Sequence, residues 1–403
     1  MTDQISEAGT HRGSAAEVFF TFLKLGLTSF GGPIAHLGYF RDELVVRRRW
    51  LDDHAYADII ALCQFLPGPV SSQVSFVLGL MRAGWPGAFA AFAAFTLPSA
   101  LILVAFALTA STITGPLGTG ALHGLKIVAV AIVAQAVWGM AKTLCPDRER
   151  SAIAVLAVAV LAFTPGAFGM VAAIGAGAAV GLALGRGTAK PASCHAAVPV
   201  SQGAGVAAML VFFGLLALLP MLAGQSQALA VIDSFYRAGA MVFGGGHVVL
   251  PLLDAEVVRS GWVTPDAFLA GYGAAQAVPG PLFTFAAYLG AVLGPEPNGI
   301  AGAGLALLAV FLPGFLLLIG ILPFWDRFRV MAAAQSLMQG ANAAVVGILG
   351  AALYSPVFTT AIADLRDLAL ALACFVALIV WRIPSWLVVG LSAFGGIGLV
   401  LIR

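Results

Sequence analysis

Apolar positions run almost unbroken through residues 17–45, 54–82, 87–110, 120–143, 151–164 and 166–185. A polar stretch (186–203) and one further apolar stretch (204–223) follow, and a matching series then begins near residue 233. Runs of this length with few charges predict helices that cross a bilayer rather than the core of a soluble domain. The first two runs of each series carry a regular interruption. "FGGP" (Phe30 to Pro33) and "QFLPGPVSS" (Gln64 to Ser72) break the first series; "FGGG" (Phe243 to Gly246) and "QAVPGPLFT" (Gln276 to Thr284) break the second. Proline removes a backbone donor and ends or kinks a helix, so each of these runs is predicted to be two helical arms meeting at a break.

The two series are copies of one unit. "KLGLTSFGGP" (Lys24 to Pro33) aligns with "RAGAMVFGGG" (Arg237 to Gly246) at an offset of 213, which also pairs Glu43 with Glu256. At 212 the offset pairs Trp50 with Trp262 and Gln64 with Gln276, and superposes both Pro-Gly-Pro triplets. It then drifts through 215 (Leu97-Pro98, Leu312-Pro313) and 216 (Gly124, Gly340) to 219 (Pro165, Pro384), as small loop insertions produce. The domain organisation read from this is a polar tail (1–16), an N-terminal repeat (17–185), a linker with one transmembrane helix (186–232) and a C-terminal repeat (233–403).

Charge then orients the copies. The loop after the first run holds Arg41, Arg47, Arg48 and Arg49, whereas its counterpart holds Arg259 among Asp254, Glu256 and Asp266. The loop between the third and fourth runs is uncharged in the first copy and carries Arg327 and Arg329 in the second. Each later loop reverses its bias as well. Lys and Arg favour the cytoplasmic side, so the copies are predicted to be inverted, with the single linking helix supplying the change of parity. All first-copy cations fall on one side if the first two runs each enter and return, and arms of about 14 residues reach past the middle of a ~30 Å core. The predicted fold is therefore all-α: a polytopic membrane protein of two inverted-topology repeats with re-entrant helical hairpins plus a linking transmembrane helix. Thirteen full spans, in place of nine spans and four hairpins, is the alternative.

Broken helices at membrane depth are tolerated where protein or water satisfies the backbone, and in inverted-repeat transporters they mark the substrate site. Helix N-termini there present free N–H groups and a positive dipole end to anions. The candidate substrate-binding residues are Phe30, Gly31, Gly32, Pro33, Gln64, Pro67, Gly68, Pro69, Ser71 and Ser72 at the first pair of tips. At the second pair they are Phe243, Gly244, Gly245, Gly246, His247, Gln276, Pro279, Gly280, Pro281 and Thr284. Lys24 and Arg237, a matched cation pair about two turns before the first tip of each copy, complete the set, since intramembrane charge defaults to a functional role. Interfacial snorkelling is the competing reading. His123, Lys126, Glu43 and Glu256 are candidates for an ion path, against helix-end or packing roles.

Composition narrows the classes. The chain is 61% hydrophobic and 9% charged, with mean hydropathy +1.00, well below the charged share of a soluble domain. A net charge of +2 gives no footprint for nucleic acid. Cys63, Cys145, Cys194 and Cys374 show no metal-ligand spacing, although Cys194 adjoins His195; they read as ordinary thiols. No catalytic set, cofactor motif or cleavable leader emerges. An anion carrier is favoured over a channel-like or structural membrane protein and over a membrane enzyme.

At these same residues the chain resembles the chromate ion transporter family in its long, two-domain form. "FLKLGLTSFGGPIAHL" with "FRDEL" and "ALCQFLPGPVSSQ" is similar to the family's first signature. "FGGGHVVLPLL", "AQAVPGPLFTFAAYLG" and "FLPGFLLL" are similar to its second. The resemblance implies export of chromate from the bacterial cytoplasm across the inner membrane, giving chromate resistance. Sulfate, an isosteric dianion, would be the competitor or alternative cargo. Membrane lipid is the other implied partner, and a homo-oligomer is left open. An inside-negative potential already favours dianion efflux, so proton coupling is not required.

Overall fold

The computed structural model describes residues 13–110, 115–185, 187 and 199–402, and these are helical with connecting turns and no strand. The tail up to residue 12, loop 111–114 and linker residues 186 and 188–198, with Cys194 and His195, lie outside the described residues.

The first run is broken where the sequence places Gly-Gly. Helix α1 (Ala15–Thr28) starts on the Ser14 side chain, which caps Glu17 N–H, and α2 (Gly32–Phe40) follows with Pro33 in its first turn. A wider turn over Arg41–Arg47 ends α2. Asp52 caps α3 (Asp53–Phe65), which stops at Leu66-Pro67-Gly68; α4 (Val70–Ala110) then begins. The backbone of α4 leaves helical geometry at Ala83 and Gly84, so a short arm and a long helix meet there. Next come α5 (Gly115–Leu144), α6 (Arg148–Phe163), α7 (Ala167–Leu184) and the linking α8 (Gln202–Leu222).

The series then recurs. Helix α9 (Gln227–Ala240) matches α1, α10 (Val249–Leu253) matches α2, and α11 (Pro265–Ala275) matches α3. Helix α12 (Phe285–Ala291) matches the short arm of α4, and α13 (Gly299–Ile321) matches its long helix. After α14 (Trp325–Phe328) come α15 (Ala332–Ala352), the single turn α16 (Thr359–Ala361), α17 (Leu365–Ile379) and α18 (Ser385–Ile402). Among the described residues seven helices are long and apolar enough to cross a membrane: α4, α5, α7, α8, α13, α15 and α18, some with the turns that extend them. The protein is thus an all-α polytopic membrane protein with a repeating pattern of contacts.

Small residues set that pattern, because only they let helix backbones touch. A side chain at Gly26 would meet the Ala94 carbonyl oxygen of α4 at 2.9 Å, and one at Gly239 would clash with the Val310 carbonyl of α13. Gly79 opposes Gly87 as Gly290 opposes Gly302. The last helices are exchanged between the two series. Helix α18 lies antiparallel along α5, with Gly396 against Gly120 and Gly124 and Ser392 Oγ donating to the Gly124 carbonyl at 2.9 Å. Helix α7 lies antiparallel along α15 in the same way, with Gly177 and Gly181 against Gly340.

One polar cluster ties the arm ends of the first series together. Arg82, at the end of α4's short arm, pairs with Glu17 at the start of α1 (3.1 Å), and its guanidinium lies 5.2 Å from the Trp50 ring centroid. Arg48 reaches the same Glu17 at 4.0 Å, and Gly13 N–H donates to the Arg82 carbonyl. The start of α1, the loop after α2 and the end of the short arm therefore share one level of the molecule.

Candidate functional site

The four breaks converge. A tight reversal needs a positive φ, and Gly68 (φ 123°) and Gly280 (φ 101°) supply it in the two Pro-Gly-Pro tips. Gly68 N–H donates to the Val242 carbonyl at 2.8 Å, just before the second "FGG"; Gly280 N–H donates to the Ser29 carbonyl at 2.9 Å, just before the first. These two bonds are reciprocal, since each joins positions that the repeat superposes. Gly68 rests on Gly314 of α13 and Gly280 on Ser99 of α4, again as counterparts. A side chain at Gly246 would meet the Pro33 ring at 3.3 Å; these two residues are also counterparts.

The crossing bonds engage the N–H groups of Gly68 and Gly280, and Pro33, Pro67, Pro69, Pro279 and Pro281 have none. First-turn donors of α4, at Val70, Ser71 and Ser72, keep no intrahelical acceptor. Ser72 Oγ and Ser29 Oγ are buried without hydrogen-bond partners. Thr284 Oγ1 is committed to the Pro281 carbonyl (2.7 Å), and His247 Nδ1 to the Tyr272 hydroxyl (2.8 Å). Phe30 turns outward onto Trp386, with ring centroids 6.1 Å apart, and Phe243 is half-buried. Gly31, Gly32, Gly244 and Gly245 complete the turns; a side chain at Gly244 would meet Asn342 Oδ1 at 3.6 Å.

The predicted Lys, Arg and His residues outside the tips each meet a carboxylate, Glu43 and Glu256 among them. Lys24 Nζ donates to Glu43 at 2.8 Å, where Arg48 (2.8 Å) and Arg47 (3.0 Å) also converge. Burial favours the neutral form of Glu43, but hydrogen bonds from Lys24, Arg48 and Arg47 outweigh it and hold the carboxyl down to about 2. Arg237 pairs with Glu256 (2.8 Å) and Asp233 (3.1 Å). Here burial dominates, and the Glu256 carboxyl is pushed up despite Arg237. His123 Nε2 meets Asp367 at 2.8 Å, and Lys126 meets Asp266 at 2.7 Å. Lys126 and Asn342 are counterparts in sequence, yet they do not meet.

A cavity of about 320 Å³ leads toward the tips between α3 and α15. Gln64, just before the first Pro-Gly-Pro, lines it together with His54, Asp58, Trp325, Arg329, Gln339 and Asn342. Arg329 is 4% exposed, and its Nη1 pairs with Asp58 at 2.8 Å across the two series. Trp325 packs on Phe65, ring centroids 5.6 Å apart, at the base of the tip. The matching interface, α11 on α5, is closed: Gly273 is pressed onto the Leu125 carbonyl and the Lys126–Asp266 pair bridges the helices. Gln276, the counterpart of Gln64, is half-buried there with Nε2 unpartnered.

Sequence reasoning singled out Gln64 and missed Asp58, Trp325, Arg329 and Gln339. Arg329 served only as a marker of loop charge. Among the described residues no group of three or more His, Cys, Asp or Glu is placed to hold a metal ion.

Comparison with known proteins gives a consistent picture. The family model described as chromate transporter matches residues 16–182 and 229–397. The chain is 30% identical over 363 residues to the chromate transport protein of Pseudomonas aeruginosa, covering 87% of this chain and 83% of that protein. It is 28% identical over 389 residues to the probable chromate transport protein of Synechococcus elongatus, covering 93% of each. An uncharacterized transporter of Methanocaldococcus jannaschii is 26% identical over 340 residues, 83% of each chain. No solved structure matches.

Proposed function

The chain belongs to the chromate transporter family, and on that premise we propose that it exports chromate, or another tetrahedral oxyanion such as sulfate, from the bacterial cytoplasm across the inner membrane. The observation that carries this reading is the paired asymmetry about the crossed tips. Two equivalent interfaces flank them; one holds a polar cavity and the other is sealed by an ion pair and a backbone contact. A carrier that alternates its access needs two such states of one interface, here held by its two copies.

In this proposal the repeats, 17–185 and 233–403, are inverted about the linking helix within 186–232. The arms meeting at the tips enter and return on one side. The Glu17–Arg48–Trp50–Arg82 cluster supports that reading for the first copy, because full crossings would set Arg48 and Arg82 on opposite faces. The cavity mouth, with Asp58 and Arg329, then faces the cytoplasm, and Lys126, Asp266, His123 and Asp367 face outward. The oxyanion passes between the tips, held by Ser71, Ser72 and first-turn N–H groups, with Gln64 and Gln276 on either side. Lys24 and Arg237 lower the cost of a dianion at that depth.

Everted membrane vesicles containing the protein should accumulate labelled chromate, and sulfate should compete. Absence of transport of either anion would overturn the proposal. A cysteine replacing Arg48 should be modified only from the cytoplasmic side; modification from outside would replace the hairpins with thirteen spans.

A further inference from the structure

Buried hydrogen-bond donors normally find an acceptor, so two orphans carried by residues that line one cavity call for an explanation. Trp325 Nε1 and Arg329 Nε are both buried and have no hydrogen-bond partner among the described residues. Both residues line the α3–α15 cavity, at 9% and 4% exposure. Asn342, deeper in the same cavity, also has an unpartnered side-chain oxygen, which leaves its amide free to turn. Arg329 Nη1 donates to Asp58 (2.8 Å), whereas Nη2, although ion-paired with Asp326 (2.6 Å), makes no hydrogen bond, which leaves the Nε edge without one. A cation fixed in orientation by two carboxylates, beside an indole N–H and the amides of Gln64, Gln339 and Asn342, makes a donor-rich pocket wall whose one charged acceptor among the lining residues is Asp58.

We propose that Trp325 and Arg329 form an oxyanion capture site in the cavity, which loads a tetrahedral dianion before it reaches the tips. This rests on the transport reading above and extends it with residues that neither the tips nor the sequence signatures contain. A tetrahedral oxyanion offers four acceptors; the Trp325 and Arg329 donors take two, and the amides turn to take the rest. Asp58 acts as the resting counter-ion. It holds Arg329 when the site is empty and competes with the incoming anion for its charge. Because Asp58 stands on α3 and Arg329 follows α14, transfer of Arg329 from carboxylate to oxyanion also unties the two repeats at the cavity mouth. Loading is thereby linked to the movement that delivers the anion inward.

Equilibrium binding of labelled chromate to the full chain in lipid nanodiscs tests this, with unlabelled sulfate as displacer. Trp325→Phe keeps an aromatic ring against Phe65 but loses the N–H together with part of the indole; Arg329→Lys keeps the charge and loses the Nε edge. Each should raise Kd roughly ten-fold, the scale of one hydrogen bond to a charged ligand. Asp58→Asn should lower Kd several-fold, because the competing carboxylate is removed. A purely structural Arg329–Asp58 pair predicts the opposite for that variant: weaker or unchanged binding. Wild-type affinity in both Trp325→Phe and Arg329→Lys, or no tightening in Asp58→Asn, overturns the capture site while leaving the transport reading intact. If the wild-type chain binds neither chromate nor sulfate, both fall together.

Discussion

The α3–α15 and α11–α5 interfaces are built from matched positions, and their differences show what closing requires. Where α11 meets α5, Gly273 lets the helix backbone rest on the Leu125 carbonyl, and Lys126 reaches Asp266. Where α3 meets α15, the same positions hold Ala61 and Asn342, and a cavity takes the place of the contact. The open copy has Asn342 where its twin has the lysine and Ala61 where it has the glycine, so it lacks both contacts that seal the other interface. On the proposed alternating-access reading, a transporter built this way would rest with one preferred side open and need its cargo to visit the other state. Charge separates the copies as well. Glu43 gathers three cations, whereas Glu256 shares one arginine with Asp233.

The largest expected effect comes from denying the closed interface its glycine. Gly273→Leu should reduce chromate transport by about a hundred-fold, because the backbone contact has no room to yield. A cysteine at Gln276 should then become reactive from outside in the same background. Ala61→Leu, facing the cavity, should leave the present state undisturbed and block its counterpart, so that transport falls while a cysteine at Gln64 stays reactive from the cytoplasm. If both leucines leave transport unchanged, the two interfaces do not alternate. Lys24→Ala and Arg237→Ala should each lower transport roughly ten-fold, measured as vesicle uptake at fixed protein content. Unchanged rates would assign both cations to anchoring alone. Lys126→Ala removes an ion pair whose aspartate is 69% exposed, so outside labelling at Gln276 should rise only a few-fold. Smallest is the contrast between the glutamates. Glu43→Gln should cost about 1 kcal/mol more than Glu256→Gln in thermal unfolding, because it takes a shared carboxylate from three neighbouring cations, though these are largely solvent-screened.

Much of the helix layout was legible because membrane helices announce themselves locally. The apolar run 54–82 and its break at Pro67-Gly68-Pro69 correspond to α3 and the short arm of α4, and the stretch 204–223 to α8. The offset of 213 also superposes Gly26 on Gly239, and the structure shows both in equivalent close helix contacts that the sequence reading did not name. The contacts between copies that line the cavity left no such trace. Nothing near Trp325 points to Phe65, nor anything near Arg329 to Asp58, because those pairs form only when α14 folds back over the first repeat. The offset compared Lys126 with Asn342, its counterpart; its real partner, Asp266, belongs to a helix that the repeat aligns with α3. Sequence periodicity reports which residues are alike, whereas the candidate site is made by residues that are unlike and adjacent.

The crossed bonds at the tips also set the order of events as the chain is made. When the first 185 residues have entered the membrane, the Ser29 carbonyl lacks Gly280, the Gly68 amide lacks Val242, and α5 and α7 lack α18 and α15. The newborn N-terminal portion therefore holds open backbone groups and glycine-lined grooves facing lipid until the ribosome has supplied the remainder. Its assembly finishes late, as these partners arrive in turn and α18 closes over α5. A truncation near the C-terminus should on this account be cleared by membrane proteases rather than persist as a partly active carrier.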